Sequence, residues 1–483
     1  MNDCRPMASE GNFHACLDHV SPATSASTKC GIPVSIVGSF TTLSLPGEVS
    51  HLLQNGVLCD PRNGSPMEMD AYSAYLALKA LEKPAGAQYL AERSRLCNAL
   101  LNRLNHCGGF WRHGAWTGSE TEVHMRFTAA AIRLLVEAFE DGLVGNPNII
   151  TETLKRHLTY SERLTRGTWF LHDSLEHVST TLAYPQRRLS NRAFGSSHRN
   201  CLALNTHLDT ISTVLNVLQR VPLSAAERDW FTAAAGSGLT ALGLVLGEPS
   251  PLWRPFSALD SAVRATVFRS HGMRGNSPGP WMKLKIQSLV RKAWFPLRQH
   301  IRSRLPAFAF PDGYIERDIA LAGTSFEYHL VNVYDLARLL IQLQQYPLPG
   351  HAALARQCGM LIDAGLDYAI RGSYFDFLTA STRQNARAIL LCEAILARFS
   401  TRAEKTVPPH WIRAYSAIRR LLPPSSAILG YDPFTVMGAE VRGTRDIVQL
   451  RDGRRLSIDF SGEGPLFTGD PFAVTTSASL SPT

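Results

Sequence analysis

The stretch Leu202-Ala-Leu-Asn-Thr-His-Leu-Asp-Thr-Ile-Ser-Thr-Val-Leu-Asn-Val-Leu218 decides the fold class. Its apolar residues recur at helical spacing, yet Asn205, His207 and Asp209 stand among them in the first turns. The same spacing recurs over Tyr72–Leu81, Ala87–Leu104, Glu122–Phe139, Ala225–Leu246, Phe326–Leu343, Ala352–Ile370, Arg383–Phe399 and Trp411–Leu422. Gly and Pro clusters separate these stretches at Gly108-Gly109, Gly145-Asn146-Pro147, Gly247-Glu248-Pro249 and Pro423-Pro424. Helices in antiparallel succession, without alternating strand patterns between them, predict an all-α bundle, solenoid or closed α/α ring. No repeat of fixed period favours an ordinary solenoid. Past about residue 425 the texture alternates. Asp446–Leu450 and Arg455–Phe460, with Asp452-Gly453 and Gly462-Glu463-Gly464 between and after them, predict one or two β-hairpins. The chain therefore divides into a loosely packed leader (1–45), a helical domain (46–424) and a short β-like appendage (425–483).

Composition narrows the class. A hydrophobic fraction of 45% in 483 residues supports a sizeable core, and no apolar run is long enough to span a bilayer. Residues 1–30 carry Asp3, Glu10 and Asp18 and lack the apolar segment of a secretory signal. Nine scattered cysteines form no C-x-x-C pair, which suits a reducing compartment, so a cytoplasmic location is expected.

The charge is uneven. Between Asp260 and Asp312 there is no acidic residue but ten Lys or Arg, from Arg264 to Arg304. A field of one sign attracts polyanions: an acidic polysaccharide, an anionic membrane reached through the basic amphipathic stretch within 281–304, or nucleic acid. A solvated helix face is the plain alternative. The polysaccharide is the expected partner; nucleic acid is not expected.

Three segments carry candidate chemistry. Asn205-Thr206-His207 opens a helix, where donors and an imidazole meet a positive dipole end; Asn205 or Thr206 as a simple N-cap and His207 as a core residue fit equally. Phe310-Pro-Asp-Gly-Tyr-Ile-Glu-Arg-Asp318 is followed by Thr324-Ser-Phe-Glu-Tyr-His-Leu-Val-Asn332. It clusters Glu316, Arg317, Tyr328, His329 and Asn332 around a helix start. In Gly108-Gly-Phe-Trp-Arg-His-Gly-Ala-Trp116, Trp111 and Trp116 are candidates to stack on sugars. His113, Glu122 and Arg126 would line the same cleft. His172-Asp-Ser-Leu-Glu-His177 misses a zinc motif by one residue, and no metal is expected there.

Asn205-x-His207 together with Asp312-Gly313, Glu316 and Ser325-x-x-Tyr328-His329 resembles the heparinase II/III and alginate lyase group of α/α-toroid polysaccharide lyases. The resemblance covers roughly residues 195–345 and departs from the family pattern in three ways. Thr206 intervenes between Asn and His, extra residues separate Glu316 from Ser325, and the β-like tail is short. It implies an incomplete α/α toroid and β-elimination on a uronate polysaccharide without metal or organic cofactor. Asn205 and Arg317 would neutralise the substrate carboxylate, and His207 or Tyr328 would remove the C5 proton. A uronosyl C5-epimerase and a non-catalytic polysaccharide-binding protein share these features.

Overall fold

The computed structural model describes residues 35–37, 42–44, 68–85, 89–106, 109–112, 122–177, 192–197, 199–246, 251, 253–272, 292–294, 296–302, 304–305, 307–319, 328–379, 385–402, 407–421, 427–428, 435–442, 445–450, 455–459 and 466–468. By internal contacts the chain separates at Ile32–Pro33, and every described residue belongs to the unit from Pro33 onward.

The described chain is mostly helical, as its periodicity predicts. The helices are α1 (Glu68–Ala85), α2 (Leu90–His106), α3 (Met125–Glu140), α4 (Asn148–Leu158), α5 (Leu204–Arg220), α6 (Ala225–Val245), α7 (Trp253–Gly272), α8 (His329–Gln345), α9 (Ala352–Ile370), α10 (Ser373–Thr379), α11 (Asn385–Thr401) and α12 (Pro409–Leu421). They lie in two layers. Helices α1, α3, α5, α8 and α11 stand side by side in that order, and α2, α4, α6, α9 and α12 cover them.

Position in the layers explains the sequence patterns. Nearly every side chain of α3, α5 and α8 is buried, so these helices have no solvent face. Polar residues on such a helix must find partners inside the protein. The covering helices α4, α6 and α9 carry both buried and exposed residues. In α6, Ser224 accepts from the Glu227 amide while Glu227 reaches back to the Ser224 amide, a full capping box.

The inner helices solve the polar problem with one chain of alternating charge. Arg126 on α3 makes a bidentate pair with Asp335 on α8 at 2.7 and 3.2 Å. Arg338 lies 3.5 Å from Asp335 and also bonds Asp209 on α5. Asp209 in turn sits 3.0 Å from Arg133 on α3. All five side chains are buried, so three helices are tied by ions that water does not screen.

Strands occur in three places. A hairpin, β3 (Ser161–Arg163) with β4 (Thr168–Phe170), interrupts the helical region where no strand was expected. Gly167, at φ +77°, closes it; a Cβ there would lie 2.4 Å from the Ser237 carbonyl oxygen of α6. Strands β1 (Ser35–Val37) and β2 (Thr42–Ser44), within the stretch read as a leader, join β5 (Ala427–Ile428) in a three-stranded sheet. Strand β5 touches both α1 and α11, the two ends of the inner row. The appendage is a four-stranded antiparallel meander, β6 (Thr435–Arg442), β7 (Arg445–Leu450), β8 (Arg455–Asp459) and β9 (Leu466–Thr468), larger than the one or two hairpins expected. Among the described residues no helix is long and apolar enough to cross a membrane.

Candidate functional site

Helix starts provide the frame. Helices α3 and α5 begin at His124 and Ala203, neither of which caps with its side chain. Backbone carbonyls do the work instead: His172 O accepts from Met125 N at 3.1 Å, and Arg317 O accepts from Leu204 N at 2.8 Å. His172 and Arg317 are thereby fixed above two neighbouring helix starts. Their side chains then meet, His172 Nε2 to Arg317 Nη2 at 3.2 Å. A guanidinium only donates, so this nitrogen of His172 is the unprotonated one. Nδ1 consequently carries the proton and donates to Thr206 Oγ1 at 2.9 Å. Glu176 steadies the arrangement by accepting from the His172 amide (2.7 Å) and the Cys201 amide (2.8 Å). Burial, with Asp173 beside it, pushes the Glu176 carboxyl up to about 7.

Tyr328 completes the group. It precedes the first residue of α8, and the Arg317 guanidinium lies over its ring at 4.6 Å. Its hydroxyl has no hydrogen-bond partner among the described residues and is not spent on the fold. Asn205, in the first turn of α5, is nearly as isolated. Its backbone carbonyl accepts from Arg126 at 3.1 Å, but its side-chain Oδ1 is buried without a partner among the described residues. Through Arg126 and Arg317, the starts of α3, α5 and α8 gather at one end of the inner layer. Three positive dipole ends favour an anion there, beside Arg317, whose Nε lies 3.1 Å from the Asp318 carboxylate.

Other expected residues serve the fold instead. His207 was read as an inward base, but it points out toward α6. Its Nδ1 accepts from Phe170 N (3.1 Å), its Nε2 donates to Gly238 O (3.1 Å), and Trp169 stacks on it at 3.9 Å. His329 repeats this bracket. Its Nδ1 accepts from Ile315 N (3.0 Å), its Nε2 donates to Gly365 O (3.1 Å), and Tyr314 stacks on it at 5.3 Å. With both ring nitrogens committed, neither histidine can take a substrate proton. The Asn332 side chain donates to the Ile315 carbonyl at 3.5 Å, its one hydrogen bond among the described residues. Glu316 is buried against Arg298 and Arg302, and Trp111 donates to Leu100 O inside the core, so neither meets a ligand. Arg126 is engaged by Asp335, and Glu122 is fully buried. His113 and Trp116 lie outside the described residues.

The basic run is also partly absorbed. Arg264 pairs with Asp260 and Asp312, Arg298 with Asp260 and Glu316, and Arg302 binds the carbonyls of Asp318 and Ile319. The carboxylates that bound the acid-free stretch in sequence fold back to neutralise it. Trp294, within the proposed membrane stretch, is buried beside Phe256 and donates to Asp260. Arg269, Arg274, Lys283, Lys285 and Arg291 are cations whose side chains lie outside those described. Among the described residues no three His, Cys, Asp or Glu side chains form a metal-holding group.

A pH dependence follows from the buried imidazoles. Burial drives His207 down to about 3, and His157 and His329 to about 4. A folded pKa below the ordinary value near 6.5 means that the unfolded chain binds more protons in between. Stability from these groups is complete above about pH 6.5 and is lost as pH falls toward 4. Glu176, raised to about 7, and Asp318 and Asp335, which burial also raises, act in the opposite sense and offset part of this loss. The calorimetric melting temperature should fall steadily from pH 7 to pH 4; a flat profile would show that these imidazoles are not buried in neutral form. Compared with known proteins, the chain matches no family model, no curated protein and no solved structure.

Proposed function

We propose that the two helical layers form an incomplete α/α toroid and that the gathered helix starts bind the carboxylate of a uronate-containing polysaccharide, which is cleaved by β-elimination. The observation that carries this reading is the unspent pair of side chains at an anion-favouring mouth: the Tyr328 hydroxyl under Arg317, and the buried Asn205 amide. Asn205 and Arg317 neutralise the sugar carboxylate, which raises the acidity of the C5 hydrogen. Tyr328, acting from its phenolate, takes that proton. The electron pair forms the C4–C5 double bond as the C4–O bond breaks. Tyr328 then returns the proton to the departing glycosidic oxygen, so one residue serves both steps. His172 is a positioning residue, holding Arg317 through Nε2.

The test is direct. Purified protein is incubated with polygalacturonate, alginate and heparin in turn, and ultraviolet absorbance is followed. One polymer should give a steady rise from the conjugated double bond. Exchange of the C5 hydrogen with deuterated water, without a rise, would replace cleavage by epimerisation. Neither signal with any uronate polymer would remove the catalytic reading.

A further inference from the structure

Beside the mouth lies a surface that the chemistry above does not use. Phe110 and Tyr160, both half-buried, meet edge to face at 5.9 Å, and Tyr160 meets His177 at 5.6 Å. Three exposed arginines surround these rings. Arg112 lies 6.0 Å over Phe110, Arg156 reaches the Gly109 carbonyl at 3.5 Å, and Arg199 donates to the His177 carbonyl at 3.3 Å. None of the three guanidiniums has a carboxylate partner among the described residues. The Tyr160 hydroxyl likewise has no hydrogen-bond partner among them. Surface arginines commonly pair with nearby acids. Three without such a partner around two aromatic rings leave a local positive field over an apolar floor.

We infer that Phe110, Tyr160, Arg112, Arg156 and Arg199 form a binding platform for further residues of the anionic polysaccharide whose reacting sugar occupies the mouth. The inference rests on the proposed uronate site, and continuity supports it. Leu171 N donates to the Tyr160 carbonyl at 3.0 Å, so the Tyr160 backbone is tied to the residue just before His172. His177 follows Glu176, which holds the His172 amide. A chain lying across the mouth therefore reaches the platform within one hairpin. Aromatic faces take the apolar side of a sugar ring, while spaced guanidiniums meet carboxylates on alternate residues. Single-stranded nucleic acid is the competing polyanion, because bases also stack on aromatic rings, and the titrations below separate the two.

The test measures binding rather than turnover. Full-length protein and the variant R112Q/R156Q/R199Q are titrated by calorimetry with polygalacturonate, alginate and heparin, with dextran, and with a single-stranded oligonucleotide. Tyr328→Phe is measured alongside. These arginines are exposed, so circular dichroism of the triple variant should match the parent. At low ionic strength the triple variant should bind polygalacturonate about tenfold more weakly, since each exposed ion pair contributes modestly. The deficit should shrink as salt is added. Tyr328→Phe should keep parent affinity. Equal polygalacturonate affinity in parent and triple variant would overturn the platform while leaving the mouth untouched. Tighter binding of the oligonucleotide than of polygalacturonate would overturn it in favour of nucleic acid. No binding of polygalacturonate, alginate or heparin by the parent would overturn both the platform and the uronate reading.

Discussion

Asp209→Ala should cost about 3–5 kcal/mol of folding free energy, the range typical when one member of a buried ion network is removed. Asp209 is fully buried on α5 and bonds Arg338, with Arg133 at 3.0 Å. Burial alone would raise its carboxyl, but Arg133, Arg338 and Arg126 together pull it well below the ordinary carboxylate range. Without it, two guanidiniums remain between helices that have no solvent face. Domains are generally stable by only about 5–15 kcal/mol, so the variant should be close to unfolded at 37 °C. Urea denaturation provides the check. A change in free energy below about 1 kcal/mol would place the inner layer's cohesion in apolar packing alone.

Tyr328→Phe should lower the rate of elimination by at least about 10²-fold, the lower end of what a positioned acid–base group contributes. The same change should leave the urea midpoint almost unmoved, because the hydroxyl bonds nothing among the described residues. This split between rate and stability separates a catalytic tyrosine from a packing one. Polymer binding should also persist, since Asn205 and Arg317 remain. Full turnover by the variant would transfer the chemistry to another group.

The helical frame was legible because it depends on local periodicity: Ala352–Ile370 is found at its expected limits, and the other eight expected helices within a few residues. Side-chain direction was not. His207 and Asn205 lie two residues apart, which places them on opposite sides of a helix; only tertiary neighbours decide which side faces inward. Arg317 and Tyr328 were recognisable as a pair near a helix start. His172 was judged against a zinc pattern and set aside, although its place three residues after Trp169 matches that of Arg317 after Tyr314. The charge run misled for a physical reason as well. Sequence shows which charges are near in the chain, while Asp312 and Glu316 reach Arg264 and Arg298 only after folding.

The histidine bracket occurs twice in this molecule, built the same way each time. Trp169, Phe170, His207 and Gly238 have counterparts in Tyr314, Ile315, His329 and Gly365, joined by the same hydrogen bonds and ring stacking. Under that correspondence His172 matches Arg317, and Thr206 matches Tyr328. His172, Arg317, Thr206 and Tyr328 are thus two positions, each present twice, that meet where the two brackets adjoin. Repeating one local arrangement creates such a seam, and two side chains per bracket are enough to make it asymmetric. The spacing between copies is unequal along the chain, which is why a search for a constant period passes over them.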